Sequence, residues 1–161
     1  MRGRAALRIR AGGFSDAAAI AALIRRAFAV YEGKLQPPAG ASSETAETIG
    51  AKLLQERALV ADGGEEIVAC LFFQQAREAG GVYVGRVAVA PEHQGRGLAA
   101  RLMAELERLV RSEGAVALTL HARIALPANR ALFEKLGFRA VGEGTHGGFD
   151  RPTFTIMRKE L

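Results

Sequence analysis

Tryptophan is absent from the sequence, tyrosine occurs only at Tyr31 and Tyr83, and cysteine only at Cys70. A lone cysteine excludes an intramolecular disulfide and a cysteine-built metal site, so the core has to hold by burial alone. At 161 residues folding hides roughly two-thirds of the unfolded surface, which suffices. Cys70 lies in the apolar run from Ile67 to Phe73, where a thiol behaves as a small hydrophobe, and a free thiol suits a reducing cytoplasm. Long apolar runs are also missing. The longest uncharged stretch near the N-terminus, Ala17 to Ile24, is closed by Arg25 and Arg26 and is too short to span a bilayer, so neither a membrane partner nor a signal peptide is expected. With five prolines, 24% charged and 49% apolar residues, disorder and collagen are set aside and one globular domain over residues 1–161 is predicted.

Acidic residues are the minority charge: the formal net charge is +5 and the pI about 10.0. Such a balance invites nucleic acid or an anionic small molecule. Apart from Arg2, Arg4, Arg8 and Arg10 the arginines are scattered, and the poverty in tyrosine and tryptophan leaves no stacking platform, so no specific nucleic-acid partner is expected. The Arg-rich N-terminus reads as solvated.

Glycine pairs at Gly12-Gly13, Gly63-Gly64, Gly80-Gly81 and Gly147-Gly148 cut the chain into short elements, without repeats or low-complexity linkers. Leu7 to Ala11 reads as a strand. Ser15 or Asp16 then caps a helix whose stripe of Ile20, Leu23, Ile24, Ala27 and Phe28 keeps to one helical face. Gly33 to Ser43, with Pro37-Pro38, is a loop, and a second helix is expected from about Glu44 to Glu56 with Ile49, Leu53 and Leu54 inward. Ala58 to Asp62 and Ile67 to Gln75 are apolar runs joined by Asp62-Gly63-Gly64-Glu65, a hairpin signal because these residues accept positive φ. A further hairpin at Gly80-Gly81 leads into Val82 to Ala90, so consecutive antiparallel strands are predicted. Gly97 to Glu113 is the strongest helix, with Leu98, Leu102, Met103, Leu106, Leu109 and Val110 inward, Glu107 and Arg111 paired across one turn, Arg101 and Arg108 outward, and Gly114 as its stop. Val116 to Ala122 is a strand, Pro127 to Leu136 a short helix closed by Gly137, and Phe138 to Val141 and Thr153 to Met157 the last strands. The order is βααβββαβαββ.

Chemistry concentrates in Val87-Ala88-Val89-Ala90-Pro91-Glu92-His93-Gln94-Gly95-Arg96-Gly97-Leu98-Ala99. A strand ends there, and a polar turn with two glycines runs straight into the long helix. Glycines turn backbone N–H groups outward and the helix N-terminus adds its positive dipole end, which together make a phosphate cradle with Arg96 placed to meet the anion. A plain strand-to-helix turn is the other reading of the same residues. Gly95-x-Gly97-x-x-Ala100 also fits the dinucleotide fingerprint, but that fold needs a βαβ unit with an acidic residue ending its second strand, and Thr119-Leu120-His121 has none.

With Gln94-Gly95-Arg96-Gly97-Leu98-Ala99 in this turn, the sequence resembles the GCN5-related N-acetyltransferase (GNAT) superfamily, whose pattern Gln/Arg-x-x-Gly-x-Gly/Ala grips the pyrophosphate of acetyl-CoA. Downstream, Asn129-Arg130-Ala131-Leu132-Phe133-Glu134-Lys135-Leu136-Gly137-Phe138 resembles the family's second signature, Asn-x-x-x-Tyr-x-x-x-Gly-Phe, with Phe133 in the tyrosine place. The two motifs are separated by one helix and one strand, as in the family, and the element order is also the family's. The resemblance therefore covers nearly the whole chain. It implies an α/β (α+β) GNAT fold, a mixed and mostly antiparallel sheet of about seven strands, splayed between the fourth and fifth and flanked by about four helices. It further implies that pantetheine lies in the splay against the backbone of Val87, Ala88 and Val89, opposite Val116 to His121. By the same resemblance Gln94 to Ala99 hold the pyrophosphate, Asn129 holds the pantetheine arm or the adjacent turn, and Phe133 lies over the sulfur. Asn129 also reads as a helix cap.

Acetyl transfer to an amine needs a neutral amine at the thioester carbon, a donor for the developing oxyanion and a departing thiolate. By resemblance the oxyanion donor is the backbone N–H of Val89. Phe133 leaves the family's proton-donor place vacant unless Tyr31 or Tyr83 reaches in, yet a thiolate of pKa about 8.5 departs tolerably well unprotonated. Many members carry a glutamate two residues before Val87, where Gly85 stands. The remaining candidate bases are His121, ending the fifth strand, and Tyr83, on the same face as Val87 if the strand alternates without a break; each also reads as structural. His146 and Asp150 in the loop Gly142 to Pro152, with Tyr31 and Glu32 after the first helix, are the acceptor-binding candidates, their carboxylates holding an ammonium group, and solvated loop residues are the other reading. The expected function is a cytoplasmic acyltransferase moving the acetyl group of acetyl-CoA to an amine on a small molecule or peptide, by direct attack in a ternary complex. No metal is expected, and a homodimer is compatible with it. A non-catalytic acyl-CoA-binding or regulatory module is the alternative, motivated by Phe133 and Gly85.

Overall fold

The structure, a computed structural model, describes residues 6–161, so Arg2 and Arg4 lie outside the described residues. The elements follow in the expected order: β1 (Arg8–Ala11), α1 (Ala17–Phe28), α2 (Ala46–Leu53), β2 (Arg57–Asp62), β3 (Ile67–Gln75), β4 (Gly81–Val89), α3 (Leu98–Ser112), β5 (Ala117–Arg123), α4 (Pro127–Lys135), β6 (Arg139–Gly144) and β7 (Phe154–Glu160). Short 3-10 turns at Ala29–Tyr31, Gly40–Ser43 and Pro91–His93 border the site. The strands form one seven-stranded sheet in the order β1-β2-β3-β4-β5-β7-β6, antiparallel at every junction but one. The exception is β4 beside β5, because the connection between them is the α3 crossover, which returns the chain in the same direction.

Apolar spacing places the helices. Ile20, Leu23 and Ile24 of α1 and Leu102, Met103 and Leu106 of α3 are fully buried, and the two helices cover opposite faces of the sheet. Lys52 of α2 lies 5.5 Å from the ring centroid of Phe72. The next residue of β3, Phe73, faces the other way and shares a cavity wall with Val110 of α3. Cys70 is buried between these layers, and burial pushes its thiol up to about 12, which leaves it inert. Among the described residues, no helix is long and apolar enough to cross a membrane.

Local expectations give way to tertiary partners at several positions. Asp16 stands at the N-cap of α1, but its carboxylate accepts from the Gly13 N–H at 2.8 Å and from Arg10 at 2.9 Å instead of capping the helix. Arg10, expected to be solvated, is held between Asp16 and Asp62. Helix α2 starts at a Thr45–Thr48 capping box and stops at Leu53, so Leu54, expected inward, is 75% exposed. Glu107 pairs with Lys159 of β7 at 2.5 Å instead of with Arg111, since an i,i+4 pair is worth only a few tenths of a kcal/mol.

The feature that positions the site is a bulge in β4. Between the pairs Cys70↔Ala88 and Phe72↔Gly85, the single residue Leu71 of β3 opposes both Arg86 and Val87. Arg86 takes φ 49°, in the left-handed region that costs a non-glycine residue roughly 1–2 kcal/mol. A bulge bends and twists its strand, and β4 pairs with β5 only through Gly81, Val82 and Tyr83 before the two part. It also shifts the alternation. Val82, Val84, Val87 and Val89 face the α3 side, whereas Tyr83, Gly85 and Ala88 share the α1–α2 side with Phe72 and Cys70. Tyr83 and Val87 are therefore on opposite faces, because the alternation that would unite them is broken.

Candidate active site

Two cavities open where β4 and β5 part, and Phe28 at the end of α1 borders both. The first, of about 270 Å³, is walled by Val87 to Val89, by the turn from His93 to the start of α3 except Arg96, by Tyr31, and by Asn129, Leu132 and Phe133 of α4. The Ala90 N–H donates to Val68 O of β3 at 2.8 Å, so by alternation the N–H and C=O groups of Val89 and the C=O of Val87 turn away from β3 into the gap. Beyond them Gln94 Nε2 donates to Val89 O at 3.2 Å, which ties the turn to the strand end. Gly95 and Gly97 both have φ +77°, and a Cβ added at either would meet nothing within 4 Å. From Gly95 to Ala100 no backbone N–H donates to a backbone or side-chain acceptor among the described residues, the first such bond being Arg101 to Gly97 O at 3.0 Å. The result is an open row of N–H groups running into the N-terminus of a long helix, an arrangement that takes a phosphate. Leu98 and Ala99 are buried at its base, whereas Arg96 is exposed and lies outside the cleft wall.

Asn129 lies one turn into α4, whose N-cap is Leu126, and so it does not cap the helix. Phe133 is 8% exposed and packs edge-on against Phe138 at 6.1 Å between ring centroids. Among the described residues Tyr31 is the only phenol lining this cleft. A larger hollow of about 760 Å³ lies at the other end of the sheet, beside the β3–β4 turn and the end of α3. Its strand ends are closed by the bonds Ala76 N–H to Gly81 O and Val116 N–H to Gly80 O, so size does not mark the site.

The second cavity, of about 310 Å³, lies on the α1–α2 side and is lined by Tyr83 and Arg86 of β4, His121 and Arg123 of β5, His146 and Phe154, under the loop from Pro37 to Gly40. His121 stacks on Phe154 at 4.4 Å and meets Tyr83 edge-on at 5.1 Å. Partial burial, and then the neighbouring His146, hold the His121 imidazole below its ordinary range, which leaves it neutral at neutral pH. Burial pushes the Tyr83 phenol up, so it keeps its proton. Thr153 Oγ1 accepts the backbone N–H of His146 at 2.9 Å and bonds Nδ1 of the same ring. Of the four acceptor-binding candidates His146 lines this cavity and Tyr31 the first one, whereas Glu32 and Asp150 are exposed and line neither.

The model of the acetyltransferase (GNAT) family matches residues 19–138, three-quarters of the chain. The chain belongs to the GNAT acetyltransferase family. Among curated proteins none matches it significantly. Solved structures share the fold. The PaiA N-acetyltransferase from Thermoplasma acidophilum, in complex with coenzyme A, superposes with a TM-score of 0.80 at 16% identity, over 97% of this chain and 99% of that one. An acetyltransferase of the GNAT family from Streptococcus pneumoniae gives 0.72 at 18%, over 97% and 100%. A spermidine N-acetyltransferase chimera from Vibrio cholerae and hSSAT gives 0.72 at 18%, over 96% and 95%.

GNAT enzymes use acetyl-CoA, and the first cavity fits it: the free N–H row of Gly95 to Ala100 suits a pyrophosphate and the exposed edge of Val87 and Val89 suits an amide-bearing arm. The residues that GNAT motifs do not mark are Arg86, Arg123 and Phe154, which build the second cavity. A signal for the first of them exists in the sequence, because the valines switch from even to odd numbers across Gly85-Arg86, as a bulge requires.

Proposed function

We propose that the chain, as one unit over residues 1–161, transfers the acetyl group of acetyl-CoA to an amine by direct attack while both reactants are bound. The observation that carries this is the pair of cavities meeting at Phe28 beside the parted strands β4 and β5. Acetyl-CoA supplies, when bound, an acetyl group activated as a thioester. On the first side, the turn Gln94 to Ala99 and Asn129 hold the donor molecule, and Phe133 packs beneath it. The Val89 N–H, turned into the gap, donates to the carbonyl oxygen as it gains negative charge, a fixed dipole that needs no reorganisation. On the second side His121, held neutral and facing solvent, takes the proton that the attacking amine gives up, directly or through water. Tyr83 keeps its proton and orients the His121 ring edge-on. The free buried thiol of Cys70 fits work in a reducing cytoplasm. Pairing of two copies along the outer strand β6, where Val141 is exposed, is the homodimer this reading accommodates.

A screen of amines that follows free thiol released from acetyl-CoA tests the reading. Amine-dependent release by the intact chain is expected. Tight acetyl-CoA binding with no release for any amine would instead favour an acyl-CoA-binding module, consistent with the missing phenol at Phe133.

A further inference from the structure

The second cavity is lined with cations, and among the described residues no carboxylate lines it. Arg86 is fixed at its wall by the bulge. A Cβ at Gly40 would lie 3.0 Å from Arg86 Nη2, so the guanidinium sits close beneath the loop backbone. Its Nε stands 3.8 Å from Glu44 Oε2, too far for a hydrogen bond, and both atoms are buried without a partner. Glu44 lies behind Arg86, outside the cavity lining, and offsets only that one charge. Arg123 has no such offset. It is held by neutral groups, Nη1 donating to Pro37 O at 2.8 Å and Nη2 to Pro38 O at 3.3 Å. A guanidinium anchored by carbonyls brings its whole positive charge into the cavity, with Nε and its remaining N–H hydrogens available for a planar anion.

These charges act on any amine that enters. They repel an ammonium ion and favour the neutral amine that acetyl transfer needs. A bare polyamine gains nothing here to balance that repulsion, whereas a molecule that also carries a carboxylate does. The volume of about 310 Å³ is at the small end of ligand cavities. Resting on the acetyl-transfer reading above, we infer that the acceptor is a small amine bearing a carboxylate, of the chemical class of free amino acids. Its carboxylate sits at Arg123 and Arg86, and its amino group faces the opening between β4 and β5.

The test is thiol release from acetyl-CoA with the free L-amino acids, their C-terminal amides and spermidine as acceptors, alongside a thermal melt with acetyl-CoA. At least one amino acid should exceed its own amide in kcat/KM by about tenfold or more, because the amide leaves the guanidinium unpaired. Spermidine should be the poorer acceptor. Arg123→Gln should shrink that amino-acid-to-amide ratio about tenfold, while Arg123→Lys, which loses the loop tether but keeps the charge, should retain most of it. A melt raised by acetyl-CoA together with preference for amides or spermidine, no acetylation of any amino acid, or a ratio untouched by Arg123→Gln would overturn this inference alone. A melt unmoved by acetyl-CoA would overturn the acetyl-transfer reading and this inference with it.

Discussion

His121 lines the second cavity as a ring that can take a proton, whereas Phe133 in the first lacks the hydroxyl that the family signature carries. If His121 takes the amine proton, His121→Ala should lower kcat on the order of a hundredfold, and the acid limb of the native profile should lie below the ordinary histidine value of about 6.5. The sign follows from the shift: burial and His146 disfavour the charged ring, so the base stays competent to lower pH than a free histidine. A loss below tenfold with that limb intact would make His121 scaffold, stacked on Phe154. Phe133→Tyr restores a phenol, yet a thiolate of pKa about 8.5 gains little from a donor of pKa about 10, so kcat should change less than about tenfold. A hundredfold rise would show that the natural chain lacks a proton donor it needs. At this scale the glycine turn and Asn129 were legible as lining of the first cavity, because each belongs to a motif of consecutive residues. Arg123 was not, because only strands distant in sequence bring it beside Arg86, under a loop that is itself irregular.

Among the elements, the helices and hairpins followed from apolar spacing and glycine pairs, and the boundaries that moved did so where a tertiary partner or a cap intervened, as at Thr45 and Glu107. The break in β4 decides which of its side chains face each cavity. Val82 and Val84 before it and Val87 and Val89 after it face one side only because Arg86 occupies the left-handed region. Helix α3 carries the complementary half of the site. Gly97→Asp places a side chain at φ +77° and a negative charge beside the free N–H row, so acetyl-CoA affinity measured by isothermal titration should fall at least a hundredfold while the far-ultraviolet spectrum of the fold persists. Unchanged affinity in a folded variant would put the phosphate cradle elsewhere.

For the whole molecule, the sheet is tied at its N-terminal edge by Arg10 between Asp16 and Asp62. The Arg10 guanidinium, followed by the Gly13 N–H, holds the Asp16 carboxyl below its usual range. A depressed carboxyl stabilises the fold above the unfolded value of about 3.9 and loses that contribution as pH falls toward its folded value. Asp16→Asn should therefore lower the melting temperature at neutral pH and flatten the decline below about pH 4, and equal slopes in the two proteins would remove this ion pair from the account. The opening between β4 and β5, which neither charge nor composition foretold and which exists because β4 and β5 share only three paired positions, is where acetyl-CoA should bind. Thermal melting with and without acetyl-CoA tests it most directly. A ligand bound only by the native state, at a hundredfold excess over Kd, adds about 2.7 kcal/mol, which for a chain of this size raises the melting temperature by about 5–10 °C. The account predicts that rise for the intact protein; a melt unmoved by millimolar acetyl-CoA would contradict it.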